Sequence, residues 1–529
     1  MVAAPPRGEL LFVLRDLCDE IDRRNLGSKG NRAGAPVSGI AIEGEIRPRF
    51  YSVQKPARTK RPLPIMRYQA WMGGWLWVCL LLGWGMVASL PAGSIDPAKT
   101  LPDKELAGLD EILVQALKQS PDMLMKSIEL AQAEADRLGR ASALWPSVSG
   151  DLRYAQDYLA TTNSATTVGE GFFYSFGIQQ PVFHWGAVKA SADIGGLQRK
   201  IAQKQFAEAY RQLVSLLRQQ FLGLIREKKW LQNQTYNLDM AERNYKLDEE
   251  KYTHGILSQA AFEGARLTIE EQRLAVARTQ NEWQQMKRVF MRLAGLHELD
   301  DERIPNTVSR PAWTDDQATR LAAEFQQTDG ALQVPQAEVF TYMIRQSDLD
   351  YRIAKTRLLP KLNFFAGTSL QNQTNATQSR VSQVATTDQN FGLVANWSLF
   401  DGFATRGAKL GALAAKRQHT QQLQNYLDTL REEISSLTAQ ANLTARAVAL
   451  SERRREIAAG SLGYAQEEAK QGRASPMAVA QAQMGFDAVE LAALDDRIAL
   501  YNQWSRLVGL LWVDPILQNL PAAYLDHGK

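Results

Sequence analysis

Apolar residues alternate between two regimes along the chain, one with helical spacing and one with strand spacing. From Ala187 to Tyr252 there is no proline, and Phe206, Tyr210, Leu213, Leu217, Phe221 and Leu224 step by 4, 3, 4, 4 and 3. From Ala404 to Ala469, Leu423, Leu427, Leu430, Ile434 and Leu437 step by 4, 3, 4 and 3. Such steps keep one seam turned toward a partner helix, as in a coiled coil. At 1.5 Å per residue, about 66 residues reach roughly 100 Å. That exceeds the width of a globular core, so the spacing predicts an elongated helical assembly. Each long helix stops at a glycine, Gly255 or Gly472, and a returning helix then runs to Leu293-Ala294-Gly295-Leu296 or Leu507-Val508-Gly509-Leu510.

Strand spacing begins after two prolines. Val148, Leu152 and Tyr154 alternate with Ser147, Asp151 and Arg153 after Pro146, and Leu362, Phe364 and Ala366 alternate with Asn363, Phe365 and Gly367 after Pro360. Return runs follow at Phe172, Tyr174, Phe176 and Ile178, and at Phe391, Leu393, Ala395 and Trp397. The pattern predicts two hairpins, four strands of about ten residues, with the polar segments 160–170 and 371–389 as loops. Helices over Leu109–Ala143 and Val339–Arg357 precede them, and the prolines push the preceding residues into extended geometry.

The whole grammar is written twice. Ala143-Leu144-Trp145-Pro146-Ser147-Val148 returns as Arg357-Leu358-Leu359-Pro360-Lys361-Leu362 at an offset of 214, and Gln180–Gly186 returns as Trp397–Phe403 at 217. Gly255 returns as Gly472 at 217, and the Leu293–Leu296 landmark as Leu507–Leu510 at 214. Four landmarks in one order mark a tandem duplication. We place the first copy at 95–300 and the second at 339–512. Residues 301–338 form a linker with one short outer helix over Asp315–Gln326, and 513–529 a C-terminal tail.

The front of the chain differs. Residues 1–65 hold 12 Lys and Arg against 7 Asp and Glu, in clusters such as GSKGNRAGAP that do not read as a folded unit. Either this leader is disordered or translation begins at Met66. Residues 66–94 combine Arg67, an apolar run from Trp71 to Val87 and small residues at Ala88, Ala92 and Ser94, the layout of a secretory signal peptide. A single membrane anchor is the alternative, since the run of about 17 residues is borderline for a bilayer span. The basicity stays in this front part, so the body is not a nucleic-acid binder.

Catalytic chemistry has little to stand on. Cys18 and Cys79 both precede residue 95, which leaves the body without a thiol for nucleophile, disulfide or metal. Trp77 and Val78 before Cys79 also argue against lipidation there. His184, His254, His297, His419 and His527 show no His-Glu-x-x-His spacing, and no Walker loop occurs. Gly169-Glu170-Gly171 lacks a third glycine and reads as loop, while His184 reads as a polar residue beside Trp185. No catalytic, cofactor-binding or metal residue is assigned, and the chain reads as a non-enzyme.

Aromatic residues gather in and beside the four strands. They are either the core of a soluble sandwich or the lipid face and girdles of a membrane barrel. Four strands cannot close a barrel, the smallest known having about eight. The barrel reading therefore requires several chains to pool their strands.

The duplicated layout, the Leu/Trp-Pro before each first strand, the Trp397-Ser398-Leu399-Phe400-Asp401-Gly402 junction and the turns at Gly255 and Gly472 resemble the TolC family of outer-membrane export channels, over about residues 105–512. The resemblance implies an α+β membrane protein. Its homotrimer would pool four strands per chain into a 12-stranded transmembrane β-barrel in outer-membrane lipid, continuous with a long antiparallel α-helical coiled-coil barrel in the periplasm. It further implies passive conduction in a tripartite efflux or type I secretion system, without cofactor. The partners would be a periplasmic adaptor (membrane fusion) protein and an inner-membrane pump of RND or ABC type.

Carried onto this sequence, the adaptor-docking tips fall on Gly255, Ile256, Leu257 and Ser258 and on Gly472, Arg473, Ala474 and Ser475. Positions where some members carry gate carboxylates are Ala478 and Gln481 here, with Glu263 the nearest acidic substitute. Trp145, Phe183, Trp185, Trp397, Phe400 and Asp401 mark the barrel aromatics and the strand–helix junctions. At each tip a glycine can end a helix with positive φ. Ser258 and Ser475 are placed as N-caps and Pro476 at a first helical position. Ordinary helical hairpins without a partner, or a periplasmic coiled-coil adaptor or scaffold, are the competing readings.

Overall fold

A computed structural model describes residues 101–525 other than 105, 107, 160–166, 312–316, 329 and 378–379. The expectations for 1–65, 66–94 and a start at Met66 lie outside the described residues. The first copy comprises α1 (Leu109–Gln119), α2 (Pro121–Ala141), β1 (Ser147–Leu159), β2 (Thr167–Phe183), α3 (Ala187–Thr253) and α4 (Gln259–Ala294). In the linker stands α5 (Gln317–Gln327). The second copy repeats the order with α6 (Pro335–Lys355), β3 (Lys361–Thr377), β4 (Arg380–Asn396), α7 (Ala404–Lys470) and α8 (Pro476–Leu510). Both α3 and α7 are 67 residues long.

The structure corrects several expectations. Leu109–Ala143 is two helices, because Pro121 takes the first position of α2, where its missing N–H costs nothing. Gly295 at the end of α4 is packed onto that break. Its φ is +73°, and a Cβ on it would stand 2.3 Å from the Gln119 carbonyl oxygen. The opening helix of the second copy is Pro335–Lys355 rather than Val339–Arg357. The strands are longer than ten residues, at 13 in β1 and 17 in each of the others. Most of 371–389 is not loop, since the β3–β4 ladder continues to Thr377↔Arg380, and Gly169-Glu170-Gly171 with the end of 160–170 is strand rather than loop, since β2 pairs with β1 out to Thr167↔Leu159. Backbone pairing needs no apolar face, and Thr374, Thr377, Val381 and Val384 are β-branched residues that suit strands.

The linker helix covers Gln317–Gln327, and Asp315 lies outside the described residues. Gln317, Ala318, Leu321 and Ala322 are buried, and the three apolar ones join Leu430, Ile434, Leu437 and Trp504 in one core. A second core joins α1, the middle of α3 and α4 to the linker residues Ile304 and Val308 and to Leu517 and Leu520 near the C-terminus.

One charged group is buried between these elements. Arg218 on α3 is 1% exposed. Its Nε donates to Asp103 Oδ1 at 2.8 Å, its Nη1 to Ser505 Oγ at 3.0 Å and its Nη2 to Asp514 Oδ1 at 3.1 Å. Further bonds run from Nη2 to Asp103 and from Nη1 to Asp514. One guanidinium thus holds both ends of the described chain, and its donors are satisfied, as a buried charge requires.

The helices form a curtain four wide. Nearer the sheet the neighbours run α2, α3, α6, α7, and nearer the glycine turns they run α4, α3, α8, α7. The sheet has the order β1-β2-β3-β4, all antiparallel. β1 follows α2 and β4 leads into α7, so strands and helices share the same two edges.

Candidate functional site

The strand register separates two faces with opposite chemistry. Residues opposite one another in a ladder point to the same side. One transverse row is Val148↔Ile178↔Ala366↔Phe391, and another begins Leu152↔Tyr174↔Leu370. Offset by one residue lies Asp151↔Ser175↔Ser369↔Asp388. The first face continues with Tyr154 and Phe172, whose rings are 5.0 Å apart, and its large apolar side chains are exposed. On the other face Arg153 lies over the Phe173 ring at 4.8 Å. Such an apolar surface demands a cover, whereas the polar face suits water. Among the described residues no helix is long and apolar enough to cross a membrane.

At the helical end of the sheet the indoles are anchored in duplicate. Trp185 Nε1 donates to the Pro360 carbonyl at 2.8 Å, and Trp397 Nε1 donates to the Leu358 carbonyl at 2.9 Å. Phe183 meets Trp185 edge-on at 4.8 Å, and Phe400 meets Phe403 edge-on at 5.5 Å. Trp145 is exposed beside them. Asp401 Oδ2 accepts from the Thr405 amide at 2.8 Å and from its hydroxyl at 2.5 Å. The Thr405 hydroxyl bond holds the Asp401 carboxyl below its ordinary range, against a weaker opposing effect of burial.

Each junction turns into its long helix through two residues in the left-handed region. They are Trp185 (φ 55°) with Gly186 (φ 81°) and Gly402 (φ 62°) with Phe403 (φ 67°). Aromatic and glycine have exchanged places between the copies. A large residue held there stores about 1–3 kcal/mol of strain. The aromatics are legible in the sequence, whereas this backbone is not.

The two glycine turns are superimposable in their bonding. The Gly255 amide donates to the Tyr252 carbonyl at 2.9 Å and Ile256 to Lys251 at 2.8 Å; Gly472 donates to Ala469 at 3.0 Å and Arg473 to Glu468 at 2.8 Å. With Gly255 at φ 73° and Gly472 at φ 71°, both are Schellman motifs. Ser258 and Ser475 cap the returning helices, their Oγ atoms accepting from the Ala261 and Ala478 amides at 3.3 and 3.2 Å. Pro476 stands at the start of α8.

Exposure divides the turn residues. Leu257 and Ala474 are half-buried, whereas Ile256 is 76% exposed and Arg473 is exposed. In many such caps the residue after the glycine packs back on the helix. Here Ile256 presents its side chain outward instead. Ala478 and Gln481 are exposed and uncharged, and Glu263 is exposed with Arg266 Nη1 at 3.8 Å.

What distinguishes the turns lies behind them. Phe262 stacks on Tyr252 at 4.5 Å and on Tyr245 at 5.7 Å. The corresponding positions of the second copy are Val479, Ala469 and Leu462. The two hairpins meet through α3 and α8, where Lys229 pairs with Glu490 at 2.5 Å and Arg226 with Asp495 at 3.2 Å. The structure thus groups the predicted residues into two sites at opposite ends of the long helices. Trp145, Phe183, Trp185, Trp397, Phe400 and Asp401 lie at the strand junctions, and the two glycine turns with Ala478 and Gln481 lie at the far end. Phe262 lies seven residues past Gly255 and level with Tyr252, a spacing by which the sequence itself signals the stack.

The chain matches the outer membrane efflux protein family over residues 112–296 and 342–511. The CmeC outer membrane channel of Campylobacter jejuni is similar in fold at 15% identity and a TM-score of 0.60, covering 77% of this chain and 86% of that one. The outer membrane protein VceC of Vibrio cholerae has 14% identity and a TM-score of 0.57, covering 79% of this chain and 99% of that one. The MtrE outer membrane channel of Neisseria gonorrhoeae in its open state has 11% identity and a TM-score of 0.56, covering 76% and 88% respectively. No curated protein matches the sequence.

Proposed function

The chain belongs to the outer membrane efflux protein family, and from that premise we propose that three copies form the outer-membrane duct of an export assembly. Cargo passes through it passively, handed over by a periplasmic adaptor and an inner-membrane pump of a tripartite efflux or type I secretion system. The observation that carries this reading is the sheet, apolar on one face, polar on the other and open at both edges. Copies set edge to edge place lipid outside and water inside, and they satisfy the unpaired backbone of β1 and β4, as a membrane demands. Eight strands leave an interior filled by side chains. A dimer would therefore leave no duct, and twelve strands favour three copies.

The helical curtain supports the same closure. Exposed leucine-type residues concentrate on its edge helices: Leu124 and Ile128 on α2, Leu267 and Leu274 on α4, and Leu443, Leu450 and Ile457 on α7. Joining α7 of one copy to α2 and α4 of the next covers them. The contact is head-to-tail and closes as a ring. A scaffold protein would have no use for a two-faced sheet at the end opposite the turns.

In this reading the glycine turns are the periplasmic end where the adaptor seats, through Ile256 and Leu257 on one hairpin and Arg473 and Ala474 on the other. The turns need no catalytic group. Membrane fractionation tests the assignment: heat-resistant trimers in the outer membrane support it, and a monomer released by osmotic shock refutes it.

A further inference from the structure

A cleft at the helical rim of the sheet is not used by conduction. It measures about 530 Å³ and is lined by Trp185, Gly186, Lys189, Asp193, Arg352 and Lys355 among others. Three of these are cations against one acid. Lys189, Arg352 and Lys355 are exposed, and among the described residues none forms an ion pair. Other cations near this end of the long helices are engaged, among them Arg199 with Glu134 at 3.1 Å, Lys204 with Glu338 at 2.7 Å and Lys416 with Asp348 at 2.8 Å. Gly186 adds the amino end of α3, which has no side-chain cap and carries the positive end of the helix dipole.

The position of the cleft identifies its ligand. Phe183 pairs with Leu362 and so belongs to the apolar face, and Trp185 rests edge-on against Phe183. The cleft therefore opens where the apolar face ends. Aromatics at that level with cations beside them match the interfacial zone of a bilayer. We propose that the cleft binds the phosphate of an anionic glycerophospholipid headgroup, with the acyl chains lying along Phe183 and the apolar face. Arg352 offers paired donors to the phosphate, and Lys189 and Lys355 act as point charges. A free phosphate shares the charge but has no use for the Phe183–Trp185 wall. The proposal rests on the sheet spanning a membrane.

Native mass spectrometry of the detergent-purified trimer with added phosphatidylglycerol tests it. The wild type should keep bound lipid, and the variant Lys189→Gln/Arg352→Gln/Lys355→Gln should lose affinity by about a hundredfold. A control with Arg243, Arg278 and Arg288 changed to glutamine should bind as the wild type does, and inorganic phosphate should not displace the lipid. Equal retention by the triple variant overturns the site, and displacement by inorganic phosphate assigns it to the free ion instead. A wild-type chain that does not insert into outer membranes fails the underlying reading before any variant is made.

Discussion

Tyr252 and Phe262 stack face to face across the first glycine turn, their planes 5° from parallel, while Ala469 and Val479 stand at the corresponding places of the second. An aromatic pair contributes about 0.5–1.5 kcal/mol beyond its burial. Amides around Gly472 should therefore exchange with deuterium faster than those around Gly255. Tyr252→Ala should remove most of that difference. Equal exchange in the wild type would show that the stack does not stiffen the turn.

Ile256 is exposed, so Ile256→Asp should change stability by less than about 0.5 kcal/mol. If the turn seats an adaptor, export and adaptor cross-linking should nevertheless fall sharply, with heat-resistant trimers unchanged. Gly472→Pro should act likewise at the second turn, because proline cannot adopt positive φ. Export that survives both substitutions would leave the turns a purely structural role.

Arg218→Met should be among the most damaging single changes. It leaves Asp103 and Asp514 buried without their partner, a loss of about 3–5 kcal/mol. Limited proteolysis should then release both terminal segments. The companion Asp103→Asn/Arg218→Met/Asp514→Asn should recover much of the loss. A Tm for Arg218→Met near that of the wild type would mean that water reaches this cluster.

Glu452 offers a pH test. Burial raises its pKa, but hydrogen bonds and charges from Arg497 and Arg455 outweigh burial and hold it below its ordinary 4.5. Its contribution is present above the unfolded pKa and lost as pH falls through the folded one. Below about pH 5 the wild type should therefore lose stability more steeply than Glu452→Gln. Asp103, raised by burial against the pull of Arg218, works in the opposite sense and cancels in that comparison. Parallel unfolding curves for the two proteins would remove Glu452 from the acid response.

Leu450 and Ile457 lie seven residues apart on α7 and are 62% and 66% exposed in one copy. If three copies close as proposed, Leu450→Lys/Ile457→Lys should leave helix content unchanged and make the trimer dissociate at lower temperature on gels. Unchanged trimers would move the contact to another face of α7.

The long helices were legible because a 67-residue run with a seam and no proline has few other readings, and the tips were legible because glycine followed by a capping serine occurs at one spacing twice. Strand ends were not: residues 371–377 carry no alternating apolar signal, and only pairing with 380–386 makes them strand. Arg218 gave no sign of its burial, since its partners come from opposite ends of the sequence. The cleft at Lys189 likewise combines α3 with α6, which pack only in three dimensions.

The sharing of one guanidinium by Asp103 and Asp514 sets an order of maturation. The core that seats Leu109 and Leu113 also needs Leu517 and Leu520, so the earlier segment has no finished site until the later one has been made. A chain made from its amino end must wait, its early helices unsupported, until residues 514–520 have been made. Protection of that waiting segment is then work for holding chaperones rather than for the fold itself.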